Sequence, residues 1–251
     1  MRTYGIIGNP LSHSGSKSYF EKKFREENLE DCRYENYPLH DISELPDLIS
    51  RELTLCGLNV TFPHKESVLR YIDRLDPLAA QIGAVNVLKI NRIGGKVMVE
   101  GYNTDMPAFR DTLQPLLKKH HKRALILGSG GASRAVALAL KALGINYSIV
   151  SRSPKPNQLS YSMLDNSVIR NHPLIINTTP VGMFPDTESF PSIPYEAVTS
   201  DHLLYDLVYN PEETVFLQKG RMAGATVQNG LEMLYRQAEM GWGIWNLGFR
   251  I

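Results

Sequence analysis

The most regular hydrophobic pattern of this 251-residue chain lies at residues 123–139. A short apolar run leads into Gly128-Ser129-Gly130-Gly131, and an alanine-rich stretch with helical spacing follows. This order predicts a strand, a tight turn and a helix. The helix should end at Leu143-Gly144, a C-cap signal, and residues 146–150 form a second β-rich run. The pattern therefore predicts a complete strand–helix–strand unit.

Other strands and helices are indicated along the rest of the chain. Apolar runs typical of strands lie at residues 3–7, 33–37, 57–61, 174–177 and 203–208, and a hairpin at 91–95. Helical spacing is found at residues 18–27 and at 43–53, where Ser43 is the predicted N-cap. A helix of about a dozen residues is expected after residue 105, beginning at Pro107. The apolar spacing at 229–248 predicts one helix or a pair of helices.

This order predicts an α/β protein with two domains. We expect an N-terminal α/β substrate domain at residues 1–104, completed by a C-terminal helix at 231–251, and a Rossmann dinucleotide-binding domain at 105–230. The active site is expected in a cleft between the two domains.

Composition and charge exclude several classes of protein. A hydrophobic content of 43% is enough to build a core, and a net charge of +1 predicts no nucleic-acid or membrane partner. The two cysteines, Cys32 and Cys56, lack metal-ligand spacing, so we expect no metal and a reducing compartment. The N-terminus lacks the apolar segment of a signal peptide, so we expect a cytoplasmic protein.

The glycine segment predicts a site for a dinucleotide pyrophosphate at a helix N-terminus. Gly128 permits the tight turn, Gly130 lets the backbone approach the phosphates, and Ser133 is small enough for helix and strand to pack closely. The predicted cofactor-binding residues are therefore Gly128, Ser129, Gly130, Gly131 and Ala132. The alternative is a purely structural turn, because any tight strand-to-helix connection uses glycine.

The end of the second strand of this unit indicates which dinucleotide is bound. Ser151, Arg152 and Ser153 follow the strand, Lys155 is near, and no acidic residue is present to bind a ribose hydroxyl. Arg152 offers a planar set of donors suited to a 2′-phosphate, which favours NADP over NAD. A solvated basic turn is the alternative interpretation.

Seven polar segments follow one another along nearly the whole chain. They are Gly8-Asn9-Pro10-Leu11-Ser12-His13-Ser14-Gly15-Ser16, Asn59-Val60-Thr61-Phe62-Pro63-His64-Lys65, Gly83-Ala84-Val85-Asn86, Tyr102-Asn103-Thr104-Asp105, Asn177-Thr178-Thr179-Pro180-Val181-Gly182-Met183, Asp206-Leu207-Val208-Tyr209-Asn210-Pro211, and Asn229-Gly230-Leu231-Glu232-Met233-Leu234 with Gln237. Together these segments resemble the shikimate dehydrogenase family.

The resemblance implies reversible NADPH-dependent reduction of 3-dehydroshikimate to shikimate, a step of aromatic amino-acid biosynthesis through chorismate. It also implies that the Ser14 and Ser16 hydroxyls bind the ring carboxylate. The alternative interpretation is that the serines of this segment, like Ser12 and His13, are turn residues. The groups that would bind ring hydroxyls are Thr61, Asn86, Gln237 and Tyr209. Leu207 and Gly230 are the further cofactor-binding residues.

Lys65 and Asp105 are the predicted catalytic pair. A ketone that accepts hydride develops an alkoxide, which needs a proton and a nearby positive charge, and Lys65 can supply both. Asp105 can hold the ammonium in place and bind a substrate hydroxyl. The sequence leaves open which of the two transfers the proton. His64, beside Lys65, is interpreted as structural or solvated.

Some positions depart from the family pattern. Lys17 stands where proline is common, Met106 where glycine is usual, and Ser151 where asparagine is common. Lys155 lies one residue before the position of the family's usual second basic residue. The 2′-phosphate contact therefore depends mainly on Arg152.

The alternatives to this function are a quinate/shikimate dehydrogenase that uses NAD, a paralogue acting on another polyol acid, and a non-catalytic NADP sensor. The oligomeric state is left open, a homodimer included.

Overall fold

The computed structural model describes residues 1–11 and 14–247. Ser12 and His13 lie outside the described residues, as do the last four positions of the predicted C-terminal helix. The chain divides into two compact units, the first made of Met1–Asp105 with the C-terminal helix from Leu234 onward, and the second of Met106–Met233. Each unit contains a six-stranded sheet with helices, which confirms the predicted α/β class.

The first unit is built on a mixed sheet with strand order β2-β1-β3-β5-β6-β4. Its strands are β1 (Arg2–Gly8), β2 (Cys32–Pro38), β3 (Leu55–Val60), β4 (Arg74–Leu75), β5 (Val87–Ile93) and β6 (Lys96–Tyr102). Its helices are α1 (Ser16–Glu26), α2 (Leu45–Arg51), α3 (Pro77–Ile82) and most of α8 (Leu231–Leu247). Strand β1 is parallel to both β2 and β3, and β5 and β6 form the predicted hairpin.

Two hydrophobic clusters stabilise this sheet. One contains aliphatic side chains of β3 and α2, among them Leu48 and Leu58. The other is largely aromatic and includes Tyr4, Phe20 and Trp245, whose indole N–H donates to the backbone carbonyl of Leu88 at 2.9 Å. Burial of these large side chains supplies most of the driving force for folding the unit.

The second unit contains a fully parallel sheet with strand order β12-β11-β10-β7-β8-β9. The strands are β7 (Arg123–Leu127), β8 (Asn146–Ser151), β9 (Leu159–Ser160), β10 (Leu174–Asn177), β11 (Leu203–Asp206) and β12 (Thr226–Gln228). The helices are α4 (Asp105–Leu113), whose first residue belongs to the first unit, α5 (Gly131–Ala142), α6 (Asn166–Arg170) and α7 (Val215–Met222). Because β7 pairs with β8 on one side and β10 on the other, the strand order reverses at β7, where nucleotide folds bind their ligand.

Several local predictions need correction or refinement. The predicted N-cap Ser43 is wrong: the Asp41 side chain accepts from the Ser43 N–H at 2.7 Å and forms a capping box with Glu44. A short 3₁₀ turn precedes α2, so the predicted helix starts later and ends at Arg51. Helix α4 begins at Asp105 instead of Pro107, and the C-terminal segment forms one helix. Among the described residues, no helix has the length and apolarity required to cross a membrane.

Candidate active site

Lys65 and Asp105 form an ion pair in the first unit, although forty positions separate them in sequence. Lys65 Nζ lies 2.7 Å from Asp105 Oδ2. Lys65 belongs to the loop after β3, and Asp105 is the first residue of α4, where the helix dipole favours a negative charge. The Asp105 side chain is buried, whereas Lys65 keeps 21% of its side-chain surface exposed. The ammonium is thus held by a buried carboxylate and still open to a ligand.

Asn86 connects this pair to two further residues. Its Nδ2 lies 2.9 Å from both Asp105 Oδ1 and Thr104 Oγ1, and 3.3 Å from Gln237 Oε1. Its Oδ1 accepts from the Thr104 N–H at 2.7 Å. Both oxygens of Asp105 therefore receive a donor. The predicted residues Lys65, Asn86, Asp105 and Gln237 form one continuous polar network, in which Thr104 takes part without having been assigned a role from the sequence.

The remaining substrate-binding candidates of the first unit are placed as follows. Thr61 begins the Lys65 loop, and its carbonyl accepts from the His64 N–H at 2.9 Å. The Ser14 hydroxyl accepts a long hydrogen bond of 3.4 Å from the Ser16 N–H, so the two serines are adjacent. Ser16 begins α1 and is buried. Their role at a carboxylate stays a prediction.

His64 faces the core. Its Nε2 lies 2.9 Å from the Leu39 carbonyl oxygen, and the residue is buried. This placement agrees with the structural interpretation of His64. Tyr209 belongs to the second unit, where it is half-buried after β11, and its contact with substrate stays a prediction.

In the second unit, the glycine turn has the geometry expected of a phosphate site. Gly128 has φ +116°, and its N–H donates to the Val150 carbonyl at 2.8 Å. Gly130 has an ordinary extended backbone, and a Cβ at this position would meet no atom within 4 Å. The protein itself therefore does not require glycine there. Helix α5 begins directly afterwards with no side-chain cap, which leaves first-turn N–H groups of Gly131 and Ala132 available to an anion.

The end of β8 carries the predicted 2′-phosphate residues. Ser151 is buried, its Oγ lies 3.2 Å from the Ser129 Oγ, and it accepts from the Ser153 N–H at 3.2 Å. Ser151 thus fixes the turn that presents Arg152. Arg152 is exposed and lies near Tyr161. Burial raises the pKa of Tyr161, and the positive charge of Arg152 offsets part of that rise. Within residues 1–11 and 14–247, no carboxylate forms an ion pair with Arg152, so its guanidinium is available.

The loop after β11 brings the last two predicted cofactor residues together. The Leu207 N–H donates to the Asn177 carbonyl at 3.0 Å, and the Gly230 N–H donates to the Val208 carbonyl at 3.1 Å. A side-chain carbon on Gly230 would collide with the Leu207 backbone, so this approach requires glycine. Burial raises the pKa of Asp206 to about 7, although hydrogen bonds from Thr214, Val208 and Asn177 act to lower this pKa.

A doubly wound parallel sheet with an open glycine turn, accompanied by a paired lysine and aspartate, is characteristic of a dinucleotide-dependent oxidoreductase. A family profile described as the shikimate dehydrogenase substrate binding domain matches residues 6–88. The NADP(+) shikimate dehydrogenase of Methanococcus maripaludis is 37% identical over 96% of this chain and 90% of its own length.

Solved structures give the same result. Shikimate dehydrogenase 1 of Peptoclostridium difficile has a TM-score of 0.84 at 33% identity, covering 100% of this chain and 93% of its own. Shikimate 5-dehydrogenase of Thermus thermophilus, solved with NADP(H) and shikimate, has a TM-score of 0.85 at 31% identity, covering 99% and 94%. The chain belongs to the shikimate dehydrogenase family, and the predicted resemblance is confirmed.

Proposed function

We propose that this chain catalyses the reversible NADPH-dependent reduction of 3-dehydroshikimate to shikimate. The observation that carries the proposal is the Lys65–Asp105 ion pair, bonded through Asn86 to Gln237, in a member of this family. We assign substrate binding to the first unit and NADP binding to the second. The relatives named as NADP(+) shikimate dehydrogenases support this reaction and this cofactor.

The residues of the second unit fit NADP. The Gly128–Ala132 turn would hold the pyrophosphate, Arg152 with Ser151 and Ser153 would hold the 2′-phosphate, and Leu207 and Gly230 would provide further contacts. When bound, the reduced cofactor supplies the hydride that reaches the ketone carbon. The protein's own packing gives no reason for a glycine at position 130, because a Cβ there would meet no atom within 4 Å. A phosphate bound against the backbone at this position explains the glycine.

Lys65 supplies the proton and the positive charge in the reduction. As the carbonyl carbon is reduced, the Lys65 ammonium stabilises the alkoxide and transfers a proton to its oxygen, and the resulting amine is reprotonated from water. Asp105 receives hydrogen bonds on both oxygens, from Lys65 and Asn86, so it acts as an acceptor that orients the ammonium. Asn86, Thr61, Gln237 and Tyr209 bind the ring hydroxyls, and Ser14 and Ser16 bind the carboxylate.

The alternatives predict different outcomes in one assay. Purified protein is incubated with shikimate and NADP⁺, and absorbance of the reduced cofactor is recorded, with parallel reactions containing quinate or NAD⁺. We expect turnover with shikimate and NADP⁺, and much less with quinate, whose extra tertiary hydroxyl lies beside the carboxylate that Ser14 and Ser16 would bind. Comparable kcat/KM for both acids would favour the quinate-using enzyme. Binding of NADP⁺ without any turnover would favour the sensor.

The cellular location is a further part of the proposal. The thiols of Cys32 and Cys56 are both free, which supports a reducing compartment such as the cytoplasm.

A further inference from the structure

The carboxyl ends of β10 and β11 carry a buried side-chain pair that has no part in the mechanism above. Asn177 is the last residue of β10, and Asp206 is the last residue of β11. Asn177 Nδ2 donates to Asp206 Oδ1 at 2.9 Å, and both side chains are fully buried. Because these strands are parallel neighbours, the pair lies at the same edge of the sheet as the glycine turn after β7.

Asn177 controls the loop after β10. Its Oδ1 accepts from the Thr179 N–H at 3.0 Å and from the Thr179 hydroxyl at 2.6 Å, and its Nδ2 also reaches the Val181 carbonyl at 3.3 Å. Thr178, between Asn177 and Thr179, packs against the glycine turn and forms a wall beside it, since a Cβ on Gly128 would lie 2.6 Å from Thr178 Oγ1. Thr178 also donates to the Leu127 carbonyl, from its N–H at 2.9 Å and from its hydroxyl at 2.7 Å. The bonds to Leu127 and the Asn177 side chain, which holds Thr179, together set the position of Thr178.

Asp206 controls the loop after β11. Its Oδ1 accepts from the Val208 N–H at 3.0 Å, and its Oδ2 accepts from the Thr214 hydroxyl at 2.7 Å. Leu207 is held between the two strand ends, because its N–H donates to the Asn177 carbonyl. A buried acceptor with three donors fixes a loop more firmly than backbone bonds alone, because breaking any one leaves a buried group unpaired.

We infer that Asn177 and Asp206 are positioning residues for the nicotinamide dinucleotide. Together they fix the positions of the loop after β10, which contains Thr178, and of the loop after β11, which contains Leu207. The inference rests on the proposed function, which places the cofactor at this edge. It assigns to Asp206 the role of a hydrogen-bond acceptor, for which a negative charge is not required.

Two substitutions of Asp206 separate this role from a general structural one. In Asp206→Asn, the amide oxygen still accepts from Asn177 and Val208, and the amide nitrogen donates to the Thr214 hydroxyl, which can rotate to accept. In Asp206→Ala, all three donors lose their acceptor. We expect Asp206→Ala to weaken NADP⁺ binding about 10-fold or more and to leave the KM for shikimate unchanged within about twofold, whereas Asp206→Asn restores NADP⁺ binding.

Tyr205→Phe is the matched control. Tyr205 precedes Asp206 on β11 and is buried, and its hydroxyl bonds Thr112 Oγ1 at 2.7 Å within the same unit. Removing this hydroxyl should lower the stability of the unit without changing the affinity for NADP⁺. The dissociation constant for NADP⁺ is measured by calorimetry on the whole protein without shikimate, and thermal unfolding is measured beside it.

The outcomes are distinct. If Asp206→Ala binds NADP⁺ like wild type, or if Asp206→Asn binds as weakly as Asp206→Ala, the inference is wrong. If Asp206→Ala does not fold, Asn177→Ala is measured in its place, with the same expected loss and the same contradicting result. Wild type that binds NADP⁺ but does not oxidise shikimate would contradict the proposed reaction and leave this test intact.

Discussion

A Cβ on Gly128 would lie 2.6 Å from the Oγ1 of Thr178, whereas a Cβ on Gly130, two residues later, would meet nothing within 4 Å. Gly128 also has φ +116°, which L side chains rarely adopt. The first glycine is required by the fold itself. The second glycine is explained by a ligand.

The two alanine substitutions should therefore change different properties, stability for Gly128 and cofactor binding for Gly130. Gly128→Ala is expected to lower the free energy of unfolding by about 1–3 kcal/mol. Gly130→Ala should change it by less than about 0.5 kcal/mol and raise the KM for NADP⁺ about 10-fold or more. Urea unfolding and steady-state kinetics on both variants check this. A Gly130→Ala enzyme with wild-type KM would argue against phosphate binding at the turn.

Arg152 should determine the preference for NADP over NAD. A charge-assisted contact with the 2′-phosphate contributes about 1.5–3 kcal/mol, equivalent to a preference of roughly 10- to 150-fold. Arg152→Ala should reduce kcat/KM for NADP⁺ by this factor and leave kcat/KM for NAD⁺ nearly unchanged. Lys155→Ala, an exposed cation three residues later, is the control and should have a smaller effect. Equal use of both cofactors by wild type would overturn the assignment.

His121 should make the stability of the protein sensitive to acid. Its Nδ1 accepts from the Lys118 N–H at 3.0 Å, so protonation there would break the bond, and burial lowers the pKa of His121. The unfolded chain therefore binds this proton more readily than the folded protein, and the free energy of unfolding falls as pH drops below about 6.5.

His121→Asn keeps an acceptor for the Lys118 N–H and cannot titrate. Its free energy of unfolding should therefore fall less than that of wild type between pH 7 and pH 5, measured by urea unfolding. Identical pH profiles for wild type and His121→Asn would contradict the prediction.

Lys65 and Asp105 should act as one unit in catalysis. Because Asp105 Oδ2 holds the Lys65 ammonium at 2.7 Å, removing either partner disables the other. The kcat/KM of Lys65→Ala/Asp105→Asn should therefore lie close to that of the worse single variant instead of showing the product of the two losses. A fully additive double variant would show that the two residues act independently.

The local patterns were the most predictable parts of the chain. The strand, glycine turn and helix at residues 123–142 follow from contiguous sequence, and the structure places each element as predicted. Ser43 was a wrong N-cap because several polar residues there can cap, and only the backbone geometry shows that Asp41 does so. The limits of local reasoning thus lie at element ends.

Contacts between distant residues depended on the family resemblance or were missed. The pairing of Lys65 with Asp105 joins a loop to a helix start forty positions away, and no periodicity indicates it. Thr104 belongs to one of the segments that carry the family resemblance, yet only the structure shows its two bonds with Asn86. The Asn177–Asp206 pair forms because β10 and β11 are neighbours, which depends on the strand order of the sheet.

The most direct test of the proposed mechanism is the effect of Lys65→Ala on shikimate oxidation with NADP⁺. Because the charge of Lys65 is needed mostly as the alkoxide forms, kcat should fall roughly 10²–10⁴-fold while the KM for shikimate changes little. Lys22→Ala, at an exposed lysine of α1, should retain wild-type kinetics. A Lys65→Ala enzyme with wild-type kcat and a raised KM would show that Lys65 only binds substrate, and would contradict the mechanism.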